Sequence, residues 1–419
     1  MKKFHVKEIN SSLELAGLKS VWADLLAGTA GATFFQSHQW LTTYWEFFGQ
    51  RTQAPDSSAP ETNNGTATQE NAIALPETSG RQDRLRVLLV EAEGEPIGIL
   101  PLVVATEPYR IGPIRVLGYP LAGWGSFYGP IGPHPTATLR AGLDYIHSTP
   151  RDWDLLDLRW IDDEIDRGST AQAMQATGFD FETEIWHHSA QIELRGGWEK
   201  YWSERKSTWR NNVRRCERLL EQRGVLRYVR FRPGGIAKRD VDPRWDLYDA
   251  CVKLAELSWQ GSSTSGTTLS HPAVRDYLRA AHKTAVESGA ADLNLLLLNE
   301  QPVAFAYNYC YRGWVYGVRS GYDPAGGQEG AGTVLMAKMI EDSCRRGDRL
   351  IDLGPNYFEP KRYWYTRLQP AYHYTHFHPA RLRAQALRLK RVVRRWLHLS
   401  QPAPEPVVVQ ASTDYNPQQ

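Results

Sequence analysis

Apolar positions recur along this chain with two different periods, and the switches between them predict its elements. In Ser37–Gly49 the residues Trp40, Leu41, Tyr44, Trp45 and Phe48 fall at helical spacing, with Ser37 as N-cap and Gly49 as stop. From Gln50 to Arg84 large apolar side chains nearly vanish in favour of Thr, Ser, Ala, Pro, Asn, Glu and Gln. That composition cannot offset the entropy of ordering, so a disordered insertion is expected there. Leu85–Ala92 and Pro96–Thr106, rich in Val, Ile and Leu around a Glu93-Gly94 turn, predict a hairpin. Gly112–Pro135 reads as a structured loop region around Trp124, Phe127 and Tyr128, Asp154–Trp160 as a strand and Ser169–Gly178 as a helix.

The most legible stretch runs from Leu293 to Lys361. Strands are predicted at Leu293–Asn299, Gln301–Tyr311 and Trp314–Tyr322, then a glycine-rich turn at Ala325–Gly332, a helix at Thr333–Arg346 and a strand at Leu350–Gly354. The turn brings Gly330, Ala331, Gly332 and Thr333 to a helix N-terminus, where free backbone N–H groups and the positive dipole end suit a phosphate or pyrophosphate. A nucleotide-containing cofactor is the first expectation, although neither G-K-[ST] nor G-x-G-x-x-G is present there. The segment LLVEAEGEPIGILPL resembles LLLLNEQPVAFAYNY, and each is followed by a Gly/Pro-interrupted stretch and a later strand. Two related α/β halves are therefore expected, at about Leu85–Leu194 and Asp240–Pro379.

Charge changes this picture locally. The whole chain, at +2 over 419 residues, says nothing about nucleic acid, and its length predicts two domains. Ser203–Arg232 holds ten basic residues, Arg210 among them, against three acidic ones, with Trp209, Val213, Cys216, Leu219 and Leu220 at helical spacing. A long basic helix follows, either a solvated face or an anion-facing surface for phosphates, an acidic polymer or tRNA. Helices are also expected at Asp246–Trp259 and Pro272–Ser288, with the polar Gln260–Leu269 between them as a lid. Arg381–Arg395 has seven basic residues and no acid; a solvated tail helix is the favoured reading and a membrane-surface helix the alternative, with a disordered tail from Gln401. Cys216, Cys251, Cys310 and Cys344 form no close pair, the N-terminus has no apolar core after its lysines, and no apolar run reaches membrane-span length. A cytoplasmic protein is expected, with peripheral contact at the inner face of the membrane as the variant.

Asp352-Leu353-Gly354 ends the last strand of the central stretch, and Lys361 lies seven residues beyond Gly354. With QSHQWLTTYW, ILPLVV, LGYP…FYGPI, KSTWRNNVRRCERLLEQRG, SGYDP…EGAGTVLM and IDLGPNYFEPKRYW in this order, most of the chain resembles the GNAT acyltransferases, specifically their double-domain CelD-like and Fem-type branch. The resemblance implies an α/β fold of two tandem GNAT-like halves, each a mixed, mostly antiparallel sheet flanked by helices. The halves would occupy 1–200 and 240–380, with a basic connecting helix at 201–239 and a basic helix and tail at 381–419. It implies transfer of an acyl group from acyl-CoA to a small-molecule or glycan-precursor amine in cell-envelope or exopolysaccharide biosynthesis. An aminoacyl-tRNA-dependent Fem-type transferase, a donor on an acyl carrier protein, or a non-catalytic GNAT-like module are the alternatives; DNA is not an expected partner. The donor loop departs from the family form in having Gly327 where Gln or Arg is usual, and Phe127 stands before Tyr128 where many relatives have an acid.

Amine acylation needs a neutral amine, donors for the developing oxyanion and a proton for the leaving group. Asp352, Tyr357 and Lys361 are the expected catalytic residues, Gly330–Thr333 the donor site, and Trp259, Tyr128 and Arg210 the expected substrate contacts. His373, His376 and His378 do not share one strand face and have no nearby fourth ligand in sequence, so no metal is expected. No G-x-S-x-G turn or Ser-His-Asp order suggests a hydrolase.

Overall fold

The computed structural model describes residues 4–49, 83–120, 124–125, 127–261, 268–327 and 330–397. Nearly all of the expected insertion at 50–84, residues 262–267 of the polar loop, Gln328 and the tail from 398 lie outside the described residues. The chain begins with β1 (Phe4–Ile9), α1 (Ser12–Gly17), α2 (Lys19–Ala27) and α3 (His38–Phe48). The first strand-rich unit follows: β2 (Arg84–Ala92), β3 (Glu95–Glu107), β4 (Ile114–Gly118), α4 (Pro135–Ser148), β5 (Leu155–Asp162), α5 (Asp163–Asp166), α6 (Ser169–Ala176) and β6 (Glu182–Glu193). After α7 (Gly197–Ser203) and α8 (Ser207–Arg223) come β7 (Leu226–Phe231), α9 (Trp245–Leu257) and α10 (Pro272–Glu287). The second unit is β8 (Ala291–Leu298), β9 (Gln301–Tyr311), β10 (Trp314–Tyr322), α11 (Ala331–Arg345), β11 (Leu350–Pro355), α12 (Phe358–Lys361) and β12 (Arg367–Phe377), with α13 (Leu382–Trp396) last.

Local chemistry explains much of this. Three hairpins turn on two residues that both have positive φ, namely Glu93-Gly94, Asn299-Glu300 and Arg312-Gly313, the twist that keeps antiparallel strands in register. The Ser37 side chain accepts a hydrogen bond from Trp40 N–H, capping α3 as the sequence predicts, and Trp40, Leu41, Tyr44 and Trp45 are buried along one side. β8 is buried at every position because helices cover both of its faces, which is why its run of leucines shows no alternation.

All twelve strands described join one sheet, in the order β1-β2-β3-β4-β5-β12-β6-β11-β10-β9-β8-β7. The order is symmetric about its centre. β4 and β5 run parallel in the first half, β10 and β11 in the second, and the other pairs are antiparallel. Each half gives its last strand to the other: β12 pairs with β5, and β6 pairs with β11. The sequence boundary between halves is therefore crossed by an exchange of strands that a reading of consecutive segments did not foresee.

Strand alternation divides the core. Tyr307, Tyr309 and Tyr316 face a cluster with Trp22, Phe34, Phe35, Trp40 and Tyr248 from the helices α2, α3 and α9 and the turn before α3. Val315, Ala306 and Ile351 face the opposite layer, where Val213 and Leu220 of α8 meet Val334 and Ile340 of α11.

The expected long basic helix is shorter than its charge pattern suggested. α8 ends at Arg223, and Arg227, Arg230 and Arg232 belong to or follow the edge strand β7. Arg230 and Arg232 are drawn inward by Asp292 and Asp348, with Asp342 also on Arg230, so these cations neutralise buried carboxylates. Positive charge open to solvent is left mainly at Lys206, just before α8, and at Arg214, Arg215 and Arg218 on it.

Candidate functional site

β10 and β11 pair for only three residues, Trp314 with Leu350, Val315 with Ile351 and Tyr316 with Asp352. Beyond that point β10 has an irregularity at Gly317–Arg319 against β9, and β11 one between Asp352 and Pro355 against β6. The two strands part there and leave a notch between them, and a side chain at Gly317 would come within 3.0 Å of the Asp352 carbonyl oxygen. The vertex is therefore closely packed, and a side chain there would have to push the Asp352 carbonyl aside by a few tenths of an ångström.

Asp352 sits at that vertex, 1% exposed. Its carboxylate accepts from the Ser189 hydroxyl at 2.5 Å, Gly354 N–H at 2.6 Å and the Gln191 amide at 3.5 Å. Ser189 and Gln191 lie on the exchanged strand β6, so the other half of the chain positions this residue. Burial raises its pKa above the ordinary carboxylate value, and the neutral donors and Lys361 only partly oppose that. The Lys361 ammonium donates to the carbonyls of Gly354, Pro355 and Asn356 at 2.8–3.0 Å, clamping the turn after β11. Burial pulls its pKa down to about 8, while nearby Asp352 favours the charged form.

The donor turn lies at the mouth of this notch, where β10 ends. Gly330 has φ 91° and caps α11; a Cβ on it would fall 2.7 Å from Cys216 Sγ on α8, so both conformation and space require glycine. Gly332 differs, since a Cβ there would meet only the Tyr322 ring at 3.4 Å. Gly330 and Ala331 N–H donate to Gly327 O, and Thr333 N–H to Gly330 O. These three donors, expected from the sequence to be free, are taken within the turn because the chain closes i to i+3 and i to i+4 bonds at the helix start. Ala331 is buried against the core, so its side chain takes no part in a ligand surface. α8 flanks the turn, with Arg223 donating to Gly326 O and Arg210 in its first turn.

On the other face of the sheet lies a cavity of about 100 Å³, lined in part by Tyr128, Asp162, Asp166, Trp314, Tyr316 and Gln36. It has room for several waters or a small aliphatic group. Tyr128 is buried in the loop after β4, its N–H bonded to Trp160 O, and its hydroxyl has no hydrogen-bond partner among the described residues. Asp162 accepts from the Gln369 amide and Glu164 N–H, both at 3.0 Å, and burial lifts its pKa to about 6. Tyr316 joins the two regions: it lines the cavity and pairs with Asp352 across the strands, and burial first, then the charges of Asp352 and Asp162, hold its hydroxyl well above its ordinary pKa. Along one face, Asp162, Gln369, Ser189 and Asp352 form a polar row across β5, β12, β6 and β11, with Gln369 opposite Ser189 in register.

The structure brings together Asp352 and Lys361, puts Tyr128 on the cavity that Tyr316 also lines, and sets the turn at Gly330–Thr333 at the far end of β10, against Tyr322. It separates Arg210, which lies on the α8 face of the sheet, from Tyr128. Trp259 is 55% exposed beside Ser258, which packs on Gly321 near the end of β10 from the α9 face of the sheet, opposite the face that carries α11 and the donor turn. Tyr357 is 78% exposed in a left-handed conformation before α12, and its side chain stands in solvent outside the notch. Of the histidines, His373 bonds to Asp157 and His376 to Asp180 O, while His376 Nε2 is buried with no hydrogen-bond partner among the described residues. Asp162, Tyr316, Ser189 and Gln369 escaped sequence reasoning because they converge from separate strands. The one signal for a related carboxylate was the echo of Leu156-Asp157-Leu158 in Ile351-Asp352-Leu353.

Residues 207–363 match the acetyltransferase (GNAT) domain family, a range that begins at α8 and encloses the donor turn, the notch and Lys361. Among solved structures, FemX matches with a TM-score of 0.57 at 10% identity, over 92% of this chain and 99% of FemX. A tandem GNAT protein from the clavulanic acid biosynthesis pathway matches with a TM-score of 0.45 at 12% identity, over 90% of this chain and all of that one. No curated protein matches the sequence.

Proposed function

We propose that this chain, with its double GNAT-type fold shared with FemX, is an N-acyltransferase that moves an acyl group from acyl-CoA to an amine in cell-envelope or exopolysaccharide biosynthesis. The observation that carries the reading is the notch where β10 leaves β11, with a buried carboxyl at its vertex and a helix N-terminus at its mouth. The phosphates of the donor would lie at Gly330–Thr333, the thioester in the notch, and the amine near Asp352. A carboxyl whose pKa is raised by burial is suited to take a proton from an attacking ammonium near neutral pH. Lys361 would act as a positioning residue for the Gly354–Asn356 turn, and its ammonium, made more acidic by burial with a pKa of about 8, would be able to give a proton to the departing thiolate and become the free amine. Tyr128 and Asp162 would flank the acceptor from the cavity side, Trp259 would wall the acceptor pocket, and Arg210 on α8 would reach toward donor phosphates. Tyr357 would enter only if the loop before α12 closes over substrate.

A Fem-type reading, in which the donor is an aminoacyl-tRNA, draws support from the solvent-facing arginines Arg214, Arg215 and Arg218 beside the donor turn. Calorimetric titration with acetyl-CoA, longer acyl-CoAs and charged tRNA separates the two. Gly332→Glu is sterically tolerable and would set a carboxylate against the donor phosphates, so saturable acyl-CoA binding by the wild type should fall at least ~10-fold in the variant. Unchanged affinity would remove the site, and tRNA binding that weakens steeply with salt, without acyl-CoA binding, would install the second reading.

A further inference from the structure

The C-terminal helix α13 is doubly amphipathic. Its inner side is fixed to the sheet: Ala384 and Leu387 pack with Phe377, Ile114 and Leu155. Arg388 pairs with Asp180 and Glu182, Arg395 with Glu182 and Glu184, and Arg391 donates to Thr375. This explains part of its basic charge without any partner. The outer side is unexplained by the fold. Leu382, Ala386, Leu389, Val393 and Trp396 recur at alternating spacings of four and three along the whole helix. Leu382 is 89% exposed, Leu389 65% and Trp396 80%, with Val393 and Leu397 also open. A continuous apolar stripe of this length, held rigidly outward, marks a contact surface rather than a scatter of surface residues.

What borders the stripe decides its partner. Lys390 lies along one edge of the stripe; Arg383, at the same helical position, donates to Pro113 O at 2.9 Å and ties that end of the helix to the loop before β4, and between Arg381 and Leu397 there is no acidic residue. Apolar side chains flanked by cations, with a tryptophan near one end, match the boundary between headgroups and acyl chains of an anionic bilayer. We propose that α13 docks this protein on an anionic membrane surface, lying in the plane of the interface with Leu382, Leu389, Val393 and Trp396 inserted and the basic edge on the headgroups. Arg388, Arg391 and Arg395 then serve as the struts that fix the helix to β6 and β12, so that docking sets the orientation of the whole sheet to the bilayer.

The test is flotation of the full chain with vesicles of phosphatidylcholine alone and of phosphatidylcholine with phosphatidylglycerol, at low and high salt. The expected result is recovery with the anionic vesicles, reduced by salt, and lowered roughly tenfold by the double substitution Leu389→Glu and Trp396→Glu. Both positions are exposed, so thermal unfolding of the variant should match the wild type. Absence of the wild type from anionic vesicles, or flotation indifferent to the double substitution, overturns the proposal. Sedimentation equilibrium supplies the competing outcome: a dimer abolished by the same substitutions, with no lipid binding, would assign the stripe to a second copy of the chain.

Discussion

The two parallel strand pairs carry aspartates at matching positions, Asp157 opposite Gly118 on β4 and Asp352 opposite Tyr316 on β10. Each is buried, and each is held by residues two apart on the strand received from the other half: His373 and Thr375 for Asp157, Ser189 and Gln191 for Asp352. The surroundings then diverge. Burial disfavours ionisation at both, but Arg159 and His373 beside Asp157 hold its carboxyl well below the usual range, whereas Asp352 has neutral hydrogen-bond donors and stays above it. The guanidinium of Arg159 also bridges to Glu107, and α13 closes over the site through Arg391. One copy of the motif has become a neutralised structural knot; the other keeps an unneutralised carboxyl at an open notch. The two halves thus hold equivalent positions, and on the proposed mechanism charge pairing leaves the Asp352 carboxyl, and not that of Asp157, available for proton transfer.

The strongest way to break this comparison is Asp157→Ala. Leaving Arg159 and His373 buried without their carboxylate should cost about 3–5 kcal/mol, read from the urea midpoint; a loss below 1 kcal/mol would mean that the knot is ornamental. Asp352→Asn should do the reverse, sparing the fold while slowing acyl transfer by roughly 10²-fold. Full activity in that variant would remove the carboxyl from the chemistry.

Acidity sharpens the contrast further. Because Asp352 is raised in the folded state, the stability associated with its protonated form is complete below the ordinary carboxylate pKa and is lost as pH rises through the raised value. Asp157 behaves oppositely: its contribution is present above the ordinary value and lost as pH falls through the depressed one. Asp162, at about 6, sides with Asp352. Asp162→Asn should therefore gain roughly 1–2 kcal/mol over the wild type at pH 8 and nothing at pH 4, measured by thermal unfolding at both values. An equal effect at the two pH values would contradict the raised pKa.

These expectations divide the molecule into what neighbouring residues specify and what distant ones do. β8 to β11 and the intervening α11 fall within about two residues of their predicted limits, because hairpin turns such as Asn299-Glu300 and the αL cap at Gly330 are set by local backbone preference. Asp352 and Lys361 were legible through their spacing around the same turn. The exchange of β6 and β12 was not, since its pairing joins residues some 160–220 positions apart, as in Ser189 with Asp352 or Thr375 with Asp157. The cavity shared by Tyr128, Asp162 and Tyr316 was hidden for the same reason. Arg230 and Arg232 misled in the other direction: as sequence they extended a basic surface, and only the buried Asp292 and Asp348 reveal them as counter-charges.

The exchanged strands also set a timetable for biosynthesis. β5 and β6 are complete by residue 193, yet the strand that belongs between them starts at Arg367. At ribosomal rates of about 5–20 residues per second, the facing edges of these strands wait roughly ten to thirty seconds for β12 to emerge. During that interval they present open backbone hydrogen-bonding groups, the template on which chains mispair with one another. Closure of the sheet thus waits for β12, and a nascent chain stopped short of residue 367 has no middle to fold around.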